Sequence, residues 1–180
     1  MKNYQQILTE LNDFNKQLEL RIKERTRLLE ETSLENQSIL DSAGEGIYGL
    51  DTRGHTTFLN QAAERMLGYS LDEMFGKQQH QLIHHTHSDG SLYPKEDCHI
   101  YATFNDGIIH RVESEIFWRK DGSSFPVEYV STPIIRDGEV IGAVVVFQDV
   151  TERKKQEEAL QKAKTRLKRP TELNPYSLLT

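Results

Sequence analysis

The sequence lacks several features that would place it in a common functional class. Cys98 is its one cysteine, so no internal disulfide can form and a cytoplasmic location is the simpler expectation. No apolar run approaches the ~18 residues of a membrane-spanning helix, and no signal-peptide pattern opens the chain. The net charge of −6 argues against nonspecific binding to nucleic acid. We therefore expect a soluble protein, or a soluble part of a larger one, without a nucleic-acid partner.

The sequence also lacks the motifs that identify common enzymes. It has no glycine-rich phosphate-binding loop, no Gly-x-Ser-x-Gly elbow, no phosphoacceptor histidine in a kinase-type helix and no Gly-Gly-Asp-Glu-Phe signature of a diguanylate cyclase. Glu113 and Glu115 alternate along a predicted strand, and we interpret them as a solvated face rather than a catalytic pair. We predict that this chain is not an enzyme.

Glycine and proline are absent from the first 36 residues, and this favours one long helix, which we place at residues 1–38. Its apolar side chains recur at the four- and three-residue steps of a coiled-coil seam. The seam residues are Ile7, Leu11, Phe14, Leu18 and Ile22. Packing on the chain's own domain is one alternative. We favour a homodimer seam, because the apolar stripe is narrow and the rest of the helix is charged.

Residues 39–151 contain most of the aromatic and β-branched side chains and predict an α+β domain. Two strands come first, then short helices and a polar loop at 78–97, then three strands joined by tight turns. The predicted strands are 47–51, 56–59, 111–119, 125–135 and 140–147. This order predicts an antiparallel sheet with helices on one face.

The last predicted strand passes without a break into a charged helix at 152–169. The strand is apolar on both faces, which is typical of a central strand. We predict that Asp149 pairs with Arg153 and that the Thr151 hydroxyl caps the helix. These three residues would pass a movement of the sheet to the helix. Residues 170–180 have no periodicity and are interpreted as a tail, the edge of a fragment or added sequence.

Histidines are concentrated around the polar loop, together with the cysteine. Imidazole and thiolate are ligands of zinc and haem iron, so the cluster is a candidate metal site. The candidate ligands are His84, His85, His87, Cys98 and His99, within a cluster that begins at His80. The alternative is a histidine-rich loop without metal, with the cysteine as a small buried hydrophobic residue. We predict no cofactor and keep zinc or haem as the alternative.

Four stretches of sequence together carry a family resemblance. They are Asp-Ser-Ala-Gly-Glu-Gly-Ile (41–47), Asn-Gln-Ala-Ala with Leu-Gly-Tyr-Ser (60–70), Trp-Arg-Lys-Asp-Gly-Ser-Ser-Phe-Pro-Val (118–127) and Asp-Val-Thr-Glu-Arg (149–153). They resemble a PAS domain with its C-terminal PAC segment, as in bacterial sensor kinases and cyclic-di-nucleotide enzymes. The resemblance implies a five-stranded antiparallel sheet in spatial order 2-1-5-4-3. It also implies that residues 149–151 are an Asp-x-Thr junction that leads to a signalling helix.

The resemblance further implies a ligand cleft between the sheet and the short helices. The predicted inward side chains are Tyr48, Leu50, Ile116, Trp118, Tyr129, Val144 and Val146. A change of strand parity by one residue would replace some of them by their neighbours. We favour a packed core over a ligand site. A flavin photoadduct is not supported, because the light-oxygen-voltage branch has its cysteine in an Asn-Cys-Arg-Phe-Leu-Gln motif far upstream of Cys98.

Two functions from different classes follow. We predict a non-catalytic sensory module that dimerises through its flanking helices and signals to an effector absent from this chain. The parent protein would be a histidine kinase or a cyclic-di-nucleotide enzyme. The alternative is a metal- or haem-dependent redox or gas sensor that uses the cluster from His80 to His99, with His99 as the nearest candidate for a haem ligand. A third possibility, a purely structural coiled-coil connector, is not favoured, because such a connector would not need the predicted hairpins.

Overall fold

A computed structural model describes residues 3–168, which fall into two units divided after Gly44. The first unit consists of one helix, α1 (Tyr4–Ser42), and this helix has no buried residue. The predicted seam residues Ile7, Leu11, Phe14, Leu18 and Ile22 are all exposed, with Leu18 the least at 39%. The helix is continuous because nothing in its sequence interrupts it. The predicted tail at 170–180 lies outside the described residues.

The second unit contains the sheet and the remaining helices. Its elements are β1 (Gly46–Asp51), β2 (Thr56–Leu59), α2 (Gln61–Leu67), α3 (Leu71–Met74), α4 (Gln79–Ile83), a 3₁₀ turn (Lys95–Asp97), α5 (His99–Asp106), β3 (His110–Trp118), β4 (Ser124–Arg136), β5 (Glu139–Asp149) and α6 (Thr151–Lys168). No helix among residues 3–168 is both long enough and apolar enough to cross a membrane.

The five strands form one antiparallel sheet in the order β2-β1-β5-β4-β3. This confirms the predicted fold class and the central position of the last strand. The close pairing of β1 and β5 depends on Gly142, because a Cβ at that position would collide with the carbonyl oxygen of Leu50. Asn60 caps α2, since its side-chain oxygen accepts a hydrogen bond from the Ala63 amide at 2.9 Å.

The core lies between the sheet and the short helices. Tyr48, Leu50 and Tyr129 are buried there, as predicted. The predicted parity of β5 is off by one residue: Val145 and Phe147 are the fully buried residues. Because side chains alternate along a strand, Val144 and Val146 point to the opposite face. The sequence could not settle this, since the strand is apolar at both sets of positions.

The parity of β3 is also shifted, and here the cause is an irregularity in its pairing with β4 between Val112 and Glu115. A bulge of this kind turns the residues beyond it to the other face. Phe117 is therefore the fully buried residue, while Ile116 and Trp118 are only half-buried. Trp118 instead donates a hydrogen bond from its indole nitrogen to the Thr86 carbonyl at 2.9 Å.

Candidate functional site

Glu115 is the acidic side chain of a polar network on the helix-covered side of the sheet. Its two oxygens accept hydrogen bonds from the hydroxyls of Tyr93 at 3.0 Å and Tyr129 at 2.8 Å. The Nε2 of His84 lies 2.7 Å from Oε2 of the same carboxylate. The interpretation of Glu113 and Glu115 as one solvated face is therefore wrong for Glu115, because the bulge turns its side chain inward.

The network keeps Glu115 ionised and its tyrosine partners protonated. Burial works to raise the pKa of Glu115, but the hydrogen bonds from His84 and from the two tyrosine hydroxyls outweigh it and lower this pKa. Burial, and then the charge of Glu115, raises the pKa of Tyr93 and of Tyr129. Both tyrosines thus stay hydroxyl donors at neutral pH.

One histidine of α4, the histidine that follows this helix and one cysteine lie near this carboxylate. His80 and His84 are four residues apart, so their side chains share one face of the helical turn. The Nδ1 of His84 lies 3.4 Å from the Sγ of Cys98, the residue that precedes α5. The Nε2 of His80 lies 2.9 Å from the Tyr93 carbonyl oxygen, whereas its Nδ1 has no hydrogen-bond partner. One donor atom from each of the three buried residues lies within 4.8 Å of the other two.

A second polar network connects the end of the sheet to α6. Asp149 accepts hydrogen bonds from the backbone amide of Thr151 at 2.9 Å and from its hydroxyl, and the guanidinium of Arg119 donates to the other oxygen at 2.7 Å. Burial works to raise the pKa of Asp149, but these hydrogen bonds and the charge of Arg119 lower it. The first turn of α6 is thus attached to the sheet by an ionised side chain.

Arg119 extends this junction back into the domain. Its guanidinium also donates to the carbonyl oxygen of Met66 in α2 and lies 4.1 Å from the ring centre of Phe125. Sequence reasoning did not select Arg119, although it stands within the stretch at 118–127 that carries the resemblance. The side chain therefore contacts the end of a core helix, a core aromatic ring and the carboxylate at the end of β5 that caps α6.

Comparison with known proteins decides the family. A family model described as PAS fold matches residues 34–150. The chain belongs to the PAS family. Among solved structures, the PAS domain of an HTR-like protein from Haloarcula marismortui superposes with a TM-score of 0.55 at 24% identity, covering 71% of this chain and 98% of that one. This likeness shows the same fold.

Two curated relatives of this PAS domain come from Escherichia coli K12. The probable diguanylate cyclase DgcE is 34% identical over 118 residues, which are 64% of this chain and 10% of that protein. The signal transduction histidine-protein kinase AtoS is 28% identical over 148 residues, which are 82% of this chain and 23% of that protein. The chain thus spans less than a quarter of either relative. The PAC segment stays a prediction.

The PAS structure corrects two predictions at the junction. Arg153 does not pair with Asp149: its guanidinium contacts Glu128 and lies 3.9 Å from Glu157, because the first turn of α6 places it over β4. The Thr151 hydroxyl is not the helix cap, because it donates to Asp149. Asp149 is the acceptor that caps the Thr151 amide, and its cationic partner is Arg119.

The predicted metal ligands are only partly brought together. His84 and Cys98 are neighbours, and the residue that joins them is His80. His85 instead stacks on the Trp118 ring at 5.4 Å. His87 and His99 are exposed, with rings 4.3 Å from Tyr93 and 5.9 Å from His110 respectively. The four-residue spacing of His80 and His84 was the available signal. It was missed because the segment 78–97 was predicted to be a loop, whereas α4 lies inside it.

Proposed function

We propose that this PAS domain is a non-catalytic sensory and dimerising module. It passes a change in its core through residues 149–151 to α6 and to an effector outside this chain. The observation that carries the proposal is the contact set of Arg119, which connects α2 and the core to Asp149. The names of the relatives, a histidine kinase and a probable diguanylate cyclase, support an effector of either class.

The contacts of Asp149 with Arg119 and with the start of α6 are of the strength that signal transfer between sites requires. An Arg–Asp pair at a half-buried site and a helix cap each contribute about 1 kcal/mol. Coupling between sites in proteins is typically about 1–3 kcal/mol. A shift of α2 or Phe125 that moves the Arg119 guanidinium would therefore change the attachment of α6 by a useful amount without unfolding the domain.

A fusion of residues 1–169 to a histidine-kinase effector tests this path. We expect Asp149→Ala and Arg119→Ala to change basal kinase output by about fivefold or more, the lower end of typical coupling. The melting temperature of each variant should still show a folded domain. Asp89→Ala is the matched control, because Asp89 is an exposed acidic turn residue whose side chain bonds to nearby Ser91. If basal kinase output is unchanged in both junction variants, the signal does not pass through Arg119 and Asp149.

We also propose that a second copy of the chain covers the apolar stripe of α1. The five seam side chains are exposed in the single chain, and burying each would contribute about 1.5–3 kcal/mol. Leu160, exposed on α6, supports a contribution from that flanking helix. Because Cys98 is the one cysteine and is free, we place the module in the reducing cytoplasm.

Light scattering of purified protein tests the dimer. We expect Leu11→Asp with Leu18→Asp to give monomers, because two charges on each helix would have to be buried in the seam. Thr9→Asp with Asn12→Asp is the matched control: it adds the same charge to the other side of α1 and should leave the dimer intact. A monomeric wild-type protein at micromolar concentration would exclude the homodimer.

A further inference from the structure

The buried pair of histidines has its protons on the side away from Cys98. The Nε2 of His80 lies 2.9 Å from a backbone carbonyl, which can only accept, so this nitrogen carries the hydrogen. The Nε2 of His84 is 2.7 Å from the Glu115 carboxylate. That contact departs from ideal hydrogen-bond alignment, but two lone pairs would repel at this distance, and the proton must again be on Nε2.

The Nδ1 atoms of both rings are therefore lone-pair donors. That of His84 faces the Cys98 sulfur at 3.4 Å, and that of His80 is buried without a hydrogen-bond partner, its residue being only 6% exposed. An unpaired buried nitrogen is unfavourable unless something binds it.

These three donors match the requirements of a zinc-type ion. Zn²⁺ binds imidazole nitrogen and thiolate sulfur, and catalytic-type sites use three protein ligands with one position left for a small molecule. In tetrahedral geometry with Zn–N about 2.0 Å and Zn–S about 2.3 Å, nitrogen and sulfur ligands lie about 3.5 Å apart. The observed 3.4 Å between His84 Nδ1 and Cys98 Sγ fits this spacing.

The surroundings of the three donors also resemble those of a metal centre. Ligating histidines commonly donate their second nitrogen to a carboxylate or a backbone carbonyl, which fixes the ring and its tautomer. Glu115 and the Tyr93 carbonyl hold these positions for His84 and His80. A Zn²⁺ ion, one thiolate and one carboxylate have zero net charge, so Glu115 would balance the charge that the ion brings into the core.

We propose that His80 Nδ1, His84 Nδ1 and Cys98 Sγ form a three-ligand site for a divalent ion of the Zn²⁺ type, with Glu115 as a positioning residue. The two neutral imidazoles supply lone pairs. The Cys98 thiol releases its proton to solvent when the sulfur–metal bond forms. A cavity of about 50 Å³ lies beside His84 and Glu115. Metal binding at this site does not depend on the proposed signalling role.

Titration of the full, untagged chain with Co²⁺, a spectroscopic substitute for Zn²⁺, tests the site. We expect one ion per chain, a thiolate-to-cobalt charge-transfer band and the intense visible bands of tetrahedral cobalt. Excess Zn²⁺ should remove all of these bands. Absence of the charge-transfer band in the wild-type protein would overturn the proposal, and this result needs no variant to fold.

Variants then distinguish the buried site from surface histidines. Cys98→Ser should abolish the charge-transfer band, and His80→Gln should weaken cobalt binding at least tenfold. Glu115→Gln should weaken binding by about 10–100-fold while the band remains. His87→Gln is the matched control, because its side chain is an exposed neighbour of the site. Equal loss in this control, or full binding by Cys98→Ser, would show adventitious surface binding and overturn the proposal.

Discussion

The two carboxylates Glu115 and Asp149 anchor networks of similar composition in very different surroundings. Each accepts hydrogen bonds from hydroxyl groups and faces a basic side chain 2.7 Å away. The difference lies in the partners. His84 beside Glu115 is 1% exposed, whereas Arg119 beside Asp149 is 27% exposed and has a second acceptor in Met66.

This difference separates a structural network from an adjustable one. If Glu115 is removed, the buried His84 ring and the Tyr129 hydroxyl lose their acceptor, which is the costly case. If Asp149 is removed, Arg119 and Thr151 can turn to solvent. The Glu115 network should therefore hold the core rigid, while the Asp149 network can change its strength without loss of the fold.

The largest effect is expected for Glu115→Ala. Because it leaves the imidazole of His84 and the hydroxyl of Tyr129 without their acceptor, it should lower the free energy of unfolding by about 3–5 kcal/mol. Urea denaturation measures this value. Glu113→Ala is the control, since Glu113 is exposed on the same strand and should change stability by no more than about 0.5 kcal/mol. Equal effects of the two variants would mean that Glu115 is not held in the core network.

Asp149→Asn should have a smaller effect with a characteristic pH dependence. At pH 7 we expect a loss of about 1 kcal/mol, from the pair with Arg119 and the cap of Thr151. Because the pKa of Asp149 is lowered by folding, its stabilisation is fully present above the unfolded pKa of about 3.9. It is lost as the pH falls through the lower, folded pKa.

Denaturation of wild type and Asp149→Asn across pH 2–7 checks this sign. The difference in stability between the two proteins should be constant above about pH 5 and should shrink below about pH 4, since only the wild type has a carboxylate to protonate. A difference that grows as the pH falls would contradict the lowered pKa. Arg119→Gln should lose only part of this acid dependence, because the hydroxyl and amide of Thr151 still lower the pKa of Asp149.

How far the sequence could predict these networks depends on the kind of signal each required. The strand at 140–147 was placed in the centre of the sheet from its apolar run alone, and the family motifs located the junction at Asp149. The inward turn of Glu115 could not be predicted, because it results from a bulge in the β3–β4 pairing, which no local pattern reports. His80 was not selected because α4 is a five-residue polar helix without apolar periodicity.

Charge partners were the least predictable feature. Arg153 is one helical turn from Asp149 in sequence, whereas Arg119 is thirty residues away and reaches it through strand pairing. Only the tertiary fold brings β4, β5 and the β3–β4 turn to the same corner. The same holds for the contact between His84 and Cys98, which joins α4 to the start of α5.

The smallest effect is expected for Thr151→Val, which removes one hydroxyl from the adjustable network and keeps the shape of the side chain. Asp149 would still accept from the Thr151 backbone amide and from Arg119, so global stability should fall by about 1 kcal/mol or less. The first turn of α6 should open more often, because one of its attachments to the sheet is gone, and amide hydrogen exchange there should be faster. Thr165→Val is the control, since that hydroxyl bonds to the Gln161 carbonyl within the same helix and far from the sheet. If the two variants speed exchange at the start of α6 equally, the Thr151 hydroxyl does not help to couple the sheet to the helix.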